Sequence, residues 1–469
     1  MSLNKIGVIG MGVMGRNLAL NIAEHGYKTS VYNRTQEKTD IAISEDQSGN
    51  LQGFYSLEDF IDSLENPKKV VVMVNAGQAT KSVIDSITPF LNENDIVIDA
   101  GNAYFKDSIN MTNQLKKINV RFLGVGVSGG EEGARKGPAI MVGGEKTAYE
   151  EISEIFNNIA AKALDGEPCC KYISEDGAGH FVKMVHNGIE YADMQVLAEA
   201  IKFMKEALKI SNEEISQILN KFNQDDLESY LVEISSEIMV EPDDMGDGFL
   251  IDKILDVSEQ KGTGKWTNLE AIDLGVNTSI LLEGLNSRIL SSLKDERIKA
   301  SDIYEKDSTP INLNKEEFID LLENAILSAR IMIYSQGFTL YRKAAEVYNW
   351  ELNYKEIASI FRAGCIIRSR LLYDIMNEFD RDNNLPNLML SNSFASKLKV
   401  STQGLVKIIN TANNLKLSMP VMSASLSYFN AYSTANSEAN IIQAQRDYFG
   451  AHEYQRNDEN TGYYHHKWN

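Results

Sequence analysis

Cysteine is scarce in this chain: Cys169, Cys170 and Cys365 are the only three in 469 residues. That excludes a disulfide framework, so the fold must rest on packing. Proline is scarce as well, and of eight only Pro242, Pro310, Pro386 and Pro420 lie beyond residue 176, which leaves the second part of the chain open to long helices. No apolar run reaches the roughly 18 residues a membrane span needs, and Met1-Ser2-Leu3-Asn4-Lys5 leads into a strand-like run without a secretory h-region. Positive charge is in deficit, with 46 Lys+Arg against 66 Asp+Glu and a net charge of −20. No run of five or more Lys/Arg offsets this, so a broad basic face for nucleic acid or anionic lipid is excluded. No His/Cys/Asp spacing suits a metal site. His465-His466 reads as a surface pair and Cys169-Cys170 as two ordinary thiols. With 43% apolar and 24% charged residues the chain is too apolar for a disordered protein, and the expectation is a reduced, cytoplasmic one.

Short β-branched runs alternate with helical patterns over the first part of the chain. The runs are Lys5–Ile9, Thr29–Tyr32, Val70–Val74, Ile96–Asp99, Arg121–Val125 and Ala139–Val142. Their mostly continuous apolar character is that of strands buried on both faces of a parallel sheet, and the alternation predicts an α/β Rossmann-type doubly wound domain over residues 1–176. From Gly177 a period of 3.6 residues takes over, predicting a large all-helical domain over 177–434. A faint repeat runs through it: Gln195 and then Glu214-Ile215-Ser216-Gln217-Ile218-Leu219 are echoed by Gln336 and then Glu356-Ile357-Ala358-Ser359-Ile360-Phe361. Residues 435–469 lose clear periodicity and read as a tail.

Gly10-Met11-Gly12-Val13-Met14-Gly15 follows the first strand and opens a helix. In a dinucleotide fingerprint the first glycine makes the turn, the second admits a pyrophosphate and the third permits close helix–strand packing. An NAD site carries an acidic residue about 20 residues on, for the ribose hydroxyl. Here Tyr32-Asn33-Arg34-Thr35 stands in that place. Arg34 attracts a 2′-phosphate, Asn33 and Thr35 offer neutral hydrogen bonds, and no carboxylate repels it, so the expected cofactor is NADP.

On the helix that follows Gly177, a turn of 100° per residue places Lys183, His186, Asn187, Glu190 and Tyr191 on one stripe, with Phe181, Val185, Ile189 and Ala192 opposite. By pattern alone this is a solvated polar face or a binding face. An amine, an imidazole, an amide, a carboxyl and a phenol on three successive turns suit a polyhydroxylated ligand.

With that helix in view, the sequence resembles the 6-phosphogluconate dehydrogenase family, decarboxylating enzymes of the pentose phosphate pathway. The resemblance covers essentially the whole chain. It is carried by Val127-Ser128-Gly129-Gly130-Glu131-Glu132-Gly133-Ala134-Arg135, by the Lys183–Tyr191 segment, by Gln260-Lys261-Gly262-Thr263-Gly264-Lys265-Trp266-Thr267, by Cys365-Ile366-Ile367-Arg368-Ser369, and by Gln443 to His452. It implies oxidation of 6-phosphogluconate at C3 with NADP, loss of CO₂ and release of ribulose 5-phosphate. Lys183 would be the general base and Glu190 the acid that protonates C1 of the enediol. His186 and Asn187 would orient the substrate, while Ser128, Gly129 and Gly130 would face its carboxylate. Lys261, Thr263, Arg288 and Tyr191 would hold the 6-phosphate, completed by Arg446 and His452 from the partner in an obligate homodimer. Asn102 would reach cofactor and substrate, and Val74, Asn75 and Ala76 would line the cofactor.

Two positions depart from the commoner family pattern. Asn75 stands where a lysine is usual, and Ala100 where a glycine is usual, which is tolerable if its φ is negative. Two other readings remain at this point. One is a dehydrogenase of a smaller, unphosphorylated hydroxy acid, which would not need Lys261, Arg288, Arg446 and His452. The other is an NADP-binding regulatory protein without catalysis, against which the intact Lys183 and Glu190 argue.

Overall fold

The computed structural model describes residues 3–260, 262–304, 313–459 and 461–468. Eight strands form one sheet: β1 (Ile6–Ile9), β2 (Thr29–Tyr32), β3 (Leu51–Phe54), β4 (Lys69–Val72), β5 (Ile96–Asp99), β6 (Arg121–Ser128), β7 (Ala139–Gly144) and β8 (Cys170–Ser174). Their order is β3-β2-β1-β4-β5-β6-β7-β8. The six strands read from sequence are all present within a few residues, while β3 and β8 were not anticipated. The first six in spatial order are parallel, as expected, but β7 runs antiparallel to β6 with β8 parallel to it. The chain order reverses between β1 and β4, which opens a crevice beyond their carboxyl ends.

Both faces of the sheet are sealed. Val8, Val31, Val71 and Ile98 on one face pack with Leu18, Leu20 and Ile22 of the helix Val13–Glu24. Ile9, Val70, Val72 and Val97 pack on the other with Phe60, Ile84 and Leu115. Each such side chain contributes about 1.5–3 kcal/mol of burial, which explains the unbroken apolar strands.

Beyond the sheet the chain is helical and centred on Ala178–Glu206 and Lys315–Tyr348, which pack together. The sequence repeat has a structural counterpart. Each long helix is followed by a short one with a side-chain cap: Ser211 and Glu214 form a capping box at Asn212–Phe222, and Asn353 accepts from the Glu356 N–H at Tyr354–Ile360. Each long helix also caps a helix of the other half. Gln336 Oε1 accepts from the Ile280 N–H at 3.0 Å, and Glu199 Oε1 accepts from the Val421 N–H at 2.8 Å.

The chain divides after Ser425 into two compact units. The second contains the helix Ala439–Gly450, which the aperiodic sequence did not announce, and an antiparallel bridge between Tyr454 and Tyr464. Its organising residue is Asp447. This fully buried carboxylate accepts from the Glu453 N–H, His465 Nδ1, the His466 N–H and Trp468 Nε1. His465 is therefore tethered and not a free surface imidazole.

Candidate active site

The fingerprint occupies the crevice between β1 and β4. Gly10 has φ +103°, and a Cβ there would sit 2.3 Å from the Met73 carbonyl oxygen, so the turn requires glycine. Gly15 packs against the Gly10 carbonyl. Gly12 faces open space instead, with nothing beyond its own chain neighbours within 4 Å of where its Cβ would be. That opening beside a helix N-terminus fits a pyrophosphate. Val13 is half exposed at the start of the helix and Met14 packs partly on the core, but the Met11 side chain is buried, so only its main chain can meet a ligand.

Asn33 is a spacer more than a free hydrogen-bonding group, because its Oδ1 accepts from the Met11 N–H at 2.9 Å and its Nδ2 donates to the Thr35 carbonyl at 3.0 Å. It joins the fingerprint to the β2 turn, where Arg34 and Thr35 are exposed. Across the crevice lie Val74, Asn75 and Ala76 after β4. The Asn75 carbonyl accepts from Thr80 Oγ1, which leaves its amide side chain on the exposed rim. Ala100 has a negative φ, so the departure from glycine is accommodated. Asn102 follows on the exposed turn beyond β5.

The polar stripe of Ala178–Glu206 is turned inward. Gly126 on β6 explains how: a Cβ there would lie 2.4 Å from Lys183 Cβ, so only glycine lets the helix come this close to the strand. Lys183 is 6% exposed, and its Nζ lies 3.1 Å from Ser128 Oγ and 3.4 Å from His186 Nδ1. His186 is fully buried, with its Nε2 3.4 Å from Ser128 Oγ and its Nδ1 3.0 Å from Asn187 Oδ1 and 3.7 Å from Glu190 Oε2. Asn187 Nδ2 donates to Thr263 Oγ1 at 2.9 Å.

Desolvation dominates the charges here. Burial pulls the Lys183 ammonium below its usual range, against the opposing influence of Glu190 and Cys365. Burial, reinforced by Lys183, holds His186 well below the ordinary imidazole value. The same desolvation raises the Glu190 carboxyl, with Lys183 and Arg288 offsetting part of it. Each buried group is pushed towards neutrality, which biases an amine towards its base form and a carboxyl towards its acid form two turns apart on one helix. A base and an acid poised in this way can move protons in opposite directions at neutral pH.

Ser128, Gly129 and Gly130 form the wall opposite. Gly129 and Gly130 have φ +116° and +62°, and Gly130 faces open space. A contact that sequence reasoning missed fixes this loop: the Gly364 carbonyl oxygen lies 2.6 Å from where a Gly129 Cβ would be and accepts from the Ala139 N–H. Gly364, immediately before the Cys365 motif, therefore braces the Ser128 loop, and no signal in the sequence announced the contact. At the far end of the stripe the Arg288 guanidinium stacks over the Tyr191 ring at 3.5 Å, and that ring packs against Gly264, next to Thr263 at the start of the helix Thr263–Asp273. Lys261 lies outside the described residues. In the second unit Arg446 and His452 are both exposed and line one open cleft with Asn440, Gln443 and Tyr454. Arg446 is steadied there by Gln443 at 2.9 Å.

Comparison with known proteins agrees over the whole length. Residues 5–174 match the family model for the NAD binding domain of 6-phosphogluconate dehydrogenase, and residues 179–468 match that for its C-terminal domain. The chain is 47% identical over 468 residues to an Escherichia coli protein named 6-phosphogluconate dehydrogenase, decarboxylating, and the match covers all of both chains. It is 46% identical over 469 residues to the NADP(+)-dependent, decarboxylating enzyme of Bacillus subtilis, again with full coverage of both. The solved structure of 6-phosphogluconate dehydrogenase from Plasmodium falciparum, studied as apoprotein and with NADP+ or 6-phosphogluconate, superimposes with a TM-score of 0.95 at 40% identity. That match covers 99% of this chain and 100% of the other. Fold, fingerprint and buried lysine–carboxyl stripe thus agree with sequence kinship from end to end, and the chain belongs to the 6-phosphogluconate dehydrogenase family.

Proposed function

We propose that this protein catalyses oxidative decarboxylation of 6-phosphogluconate to ribulose 5-phosphate and CO₂, with reduction of NADP. The observation that carries this reading is Lys183, a buried amine held between Ser128 and His186 and pushed towards its neutral form. When bound, NADP supplies the acceptor for the hydride that leaves C3. Neutral Lys183 takes the C3 hydroxyl proton as that hydride departs. The resulting 3-keto acid loses its carboxylate as CO₂, because the ketone stabilises the electron pair left on C2. Lys183, now protonated, returns its proton to the developing enol oxygen; Glu190 in its acid form then delivers a proton to the former C2, which becomes C1 of ribulose 5-phosphate, while Lys183 takes the enol proton back and the ketone forms. His186 and Asn187 orient the hydroxyls, and the open wall at Gly130 faces the substrate carboxylate.

The 6-phosphate is assigned to Tyr191, Lys261, Thr263 and Arg288, with Arg446 and His452 contributed by a partner subunit. Arginine suits this task because its fork pairs two phosphate oxygens at once. Exposed apolar side chains at Leu269, Ile272, Ile289, Leu290 and Leu293, on and just after the adjoining helices Thr263–Asp273 and Ser279–Ser292, are the face we assign to a homodimer. Among the described residues no helix is long and apolar enough to cross a membrane, and we place the enzyme in the cytoplasm. The test is absorbance at 340 nm with NADP and either 6-phosphogluconate or an unphosphorylated hydroxy acid. Turnover of 6-phosphogluconate alone is expected, and turnover of the unphosphorylated acid alone would overturn the assignment.

A further inference from the structure

Glu270 lies two turns along the helix that begins at Thr263, and its side chain has no exposure to solvent. Three donors converge on it from two other segments. Lys106 Nζ approaches Oε2 at 2.7 Å and Tyr104 OH approaches the same oxygen at 3.2 Å, while Tyr348 OH donates to Oε1. Lys106 also lies 3.6 Å from Asp273 on the same helix. Tyr104 and Lys106 sit two and four residues after Asn102, and Tyr348 ends the long helix Lys315–Tyr348. Aromatic packing follows the same line, with Tyr104 5.4 Å from Trp266 and Phe105 5.3 Å from Tyr348 between ring centroids.

A buried carboxylate of this kind is poor cement, because apolar residues of similar volume commonly serve a core as well. It is good at fixing register, since its oxygens are satisfied in only one arrangement of the three segments. The segments it registers are informative. One leads from Asn102, on the cofactor side, and another starts at Thr263, which is already tied to Asn187 beside the catalytic lysine. None of Glu270, Lys106 or Tyr348 belongs to the proposed ligand contacts.

We propose that Glu270 is a positioning residue: acting through Lys106, Tyr104 and Tyr348, it joins the Asn102 turn and the Thr263 phosphate turn into one body, so that each ligand binds more tightly when the other is present. The proposal rests on the assignment of those two turns made above. Coupling of this sort is reciprocal and needs only that ordering one turn lowers the cost of ordering the other.

The test uses the full-length enzyme with NADPH and 6-phosphogluconate, a pair that cannot react. The NADPH dissociation constant is titrated by nicotinamide fluorescence without and with saturating 6-phosphogluconate. In the unaltered protein the ratio of the two constants is expected to be at least about fivefold, the lower end of ordinary allosteric coupling. Glu270→Gln and Lys106→Met should each cut that ratio at least threefold while leaving the constant for NADPH alone within twofold, and the double variant should lose no more than either single one. Should Glu270→Gln fail to fold, Tyr348→Phe, which keeps the charge pair, should still shift the ratio the same way. A merely structural role would lower the melting temperature and leave the ratio intact. An unchanged ratio in folded variants, or a ratio of one in the unaltered protein, overturns the proposal. If the unaltered protein binds NADPH but no 6-phosphogluconate, the functional assignment itself falls, and the proposal with it.

Discussion

In water an amine of ordinary lysine basicity is unprotonated in roughly one molecule in a few thousand at pH 7, so a lysine base must be made by its surroundings. Lys183 is made by burial, and the glycine at 126 is what permits that burial. Lys183→Met should lower kcat by at least about 10²–10⁴-fold, the usual scale for a lost acid–base group, while NADPH binding measured by fluorescence stays within about twofold. Lys183→Arg should be no better, because a guanidinium keeps its proton. On the proposed mechanism, activity in the unaltered enzyme should rise as Lys183 loses its proton and fall as Glu190 loses its own. With the lysine lowered and the carboxyl raised, the ascending limb of kcat/KM should lie below the ordinary lysine range and the descending limb above the ordinary carboxyl range. At this scale the sequence was informative about groups with distinctive chemistry. It was silent about Gly126 and Gly364, whose contribution is the absence of a side chain at one close approach.

Elements were legible where their stabilisation is local. The six strands read correctly are mostly β-branched or otherwise apolar, whereas β3 is Leu-Gln-Gly-Phe on the sheet edge and β8 contains Cys, Lys and Ser. Neither has the buried, branched pattern that marks a central strand. The reversed direction of β7 was beyond reach, because alternation and apolarity read the same from either end. The helix Ala439–Gly450 was hidden for another reason: Ile441, Ile442, Tyr448 and Phe449 are exposed, so its apolar residues mark no inward stripe within this chain. Helix ends carry the sharpest pH signature. Glu199 caps the helix starting at Pro420 through the Val421 and Met422 N–H groups, and burial raises its carboxyl to about 7. The folded state thus holds a proton that the unfolded chain gives up near its ordinary value, so this residue's contribution to stability falls as pH rises between those two values. Glu199→Gln does not ionise. Its melting temperature relative to the unaltered protein should climb between pH 5 and 8, approaching a difference worth roughly 3 kcal/mol at the upper end, as calorimetry at a series of pH values would register. A constant difference would mean that Glu199 is ionised throughout.

For the whole molecule, the net charge of −20 and the two anionic ligands are reconciled by placement. Arg34, Lys183, Lys261, Arg288, Arg446 and His452 are the exceptions that the proposed sites gather. If each site borrows Arg446 and His452 from a partner, dimers mixed from Lys183→Met and Arg446→Ala protomers should regain measurable activity. In such a dimer one site keeps both its own lysine and a partner's arginine. No recovery in dimers verified by sedimentation would place both residues in one subunit's site.

The second unit adds a constraint of a different kind. Among its described residues Tyr428 is the only buried apolar side chain, and the C-terminal segment is anchored through one carboxylate, Asp447. A segment of this size without a core has little cohesion of its own, so the residues proposed for the substrate phosphate ride on a piece that the proposed partner would have to order. In the proposed shared-site dimer, completeness of the catalytic centre would then obey mass action. The fraction of finished sites would become a function of how many protomers share the solution, and abundance in the cell would act as a setting of activity in its own right.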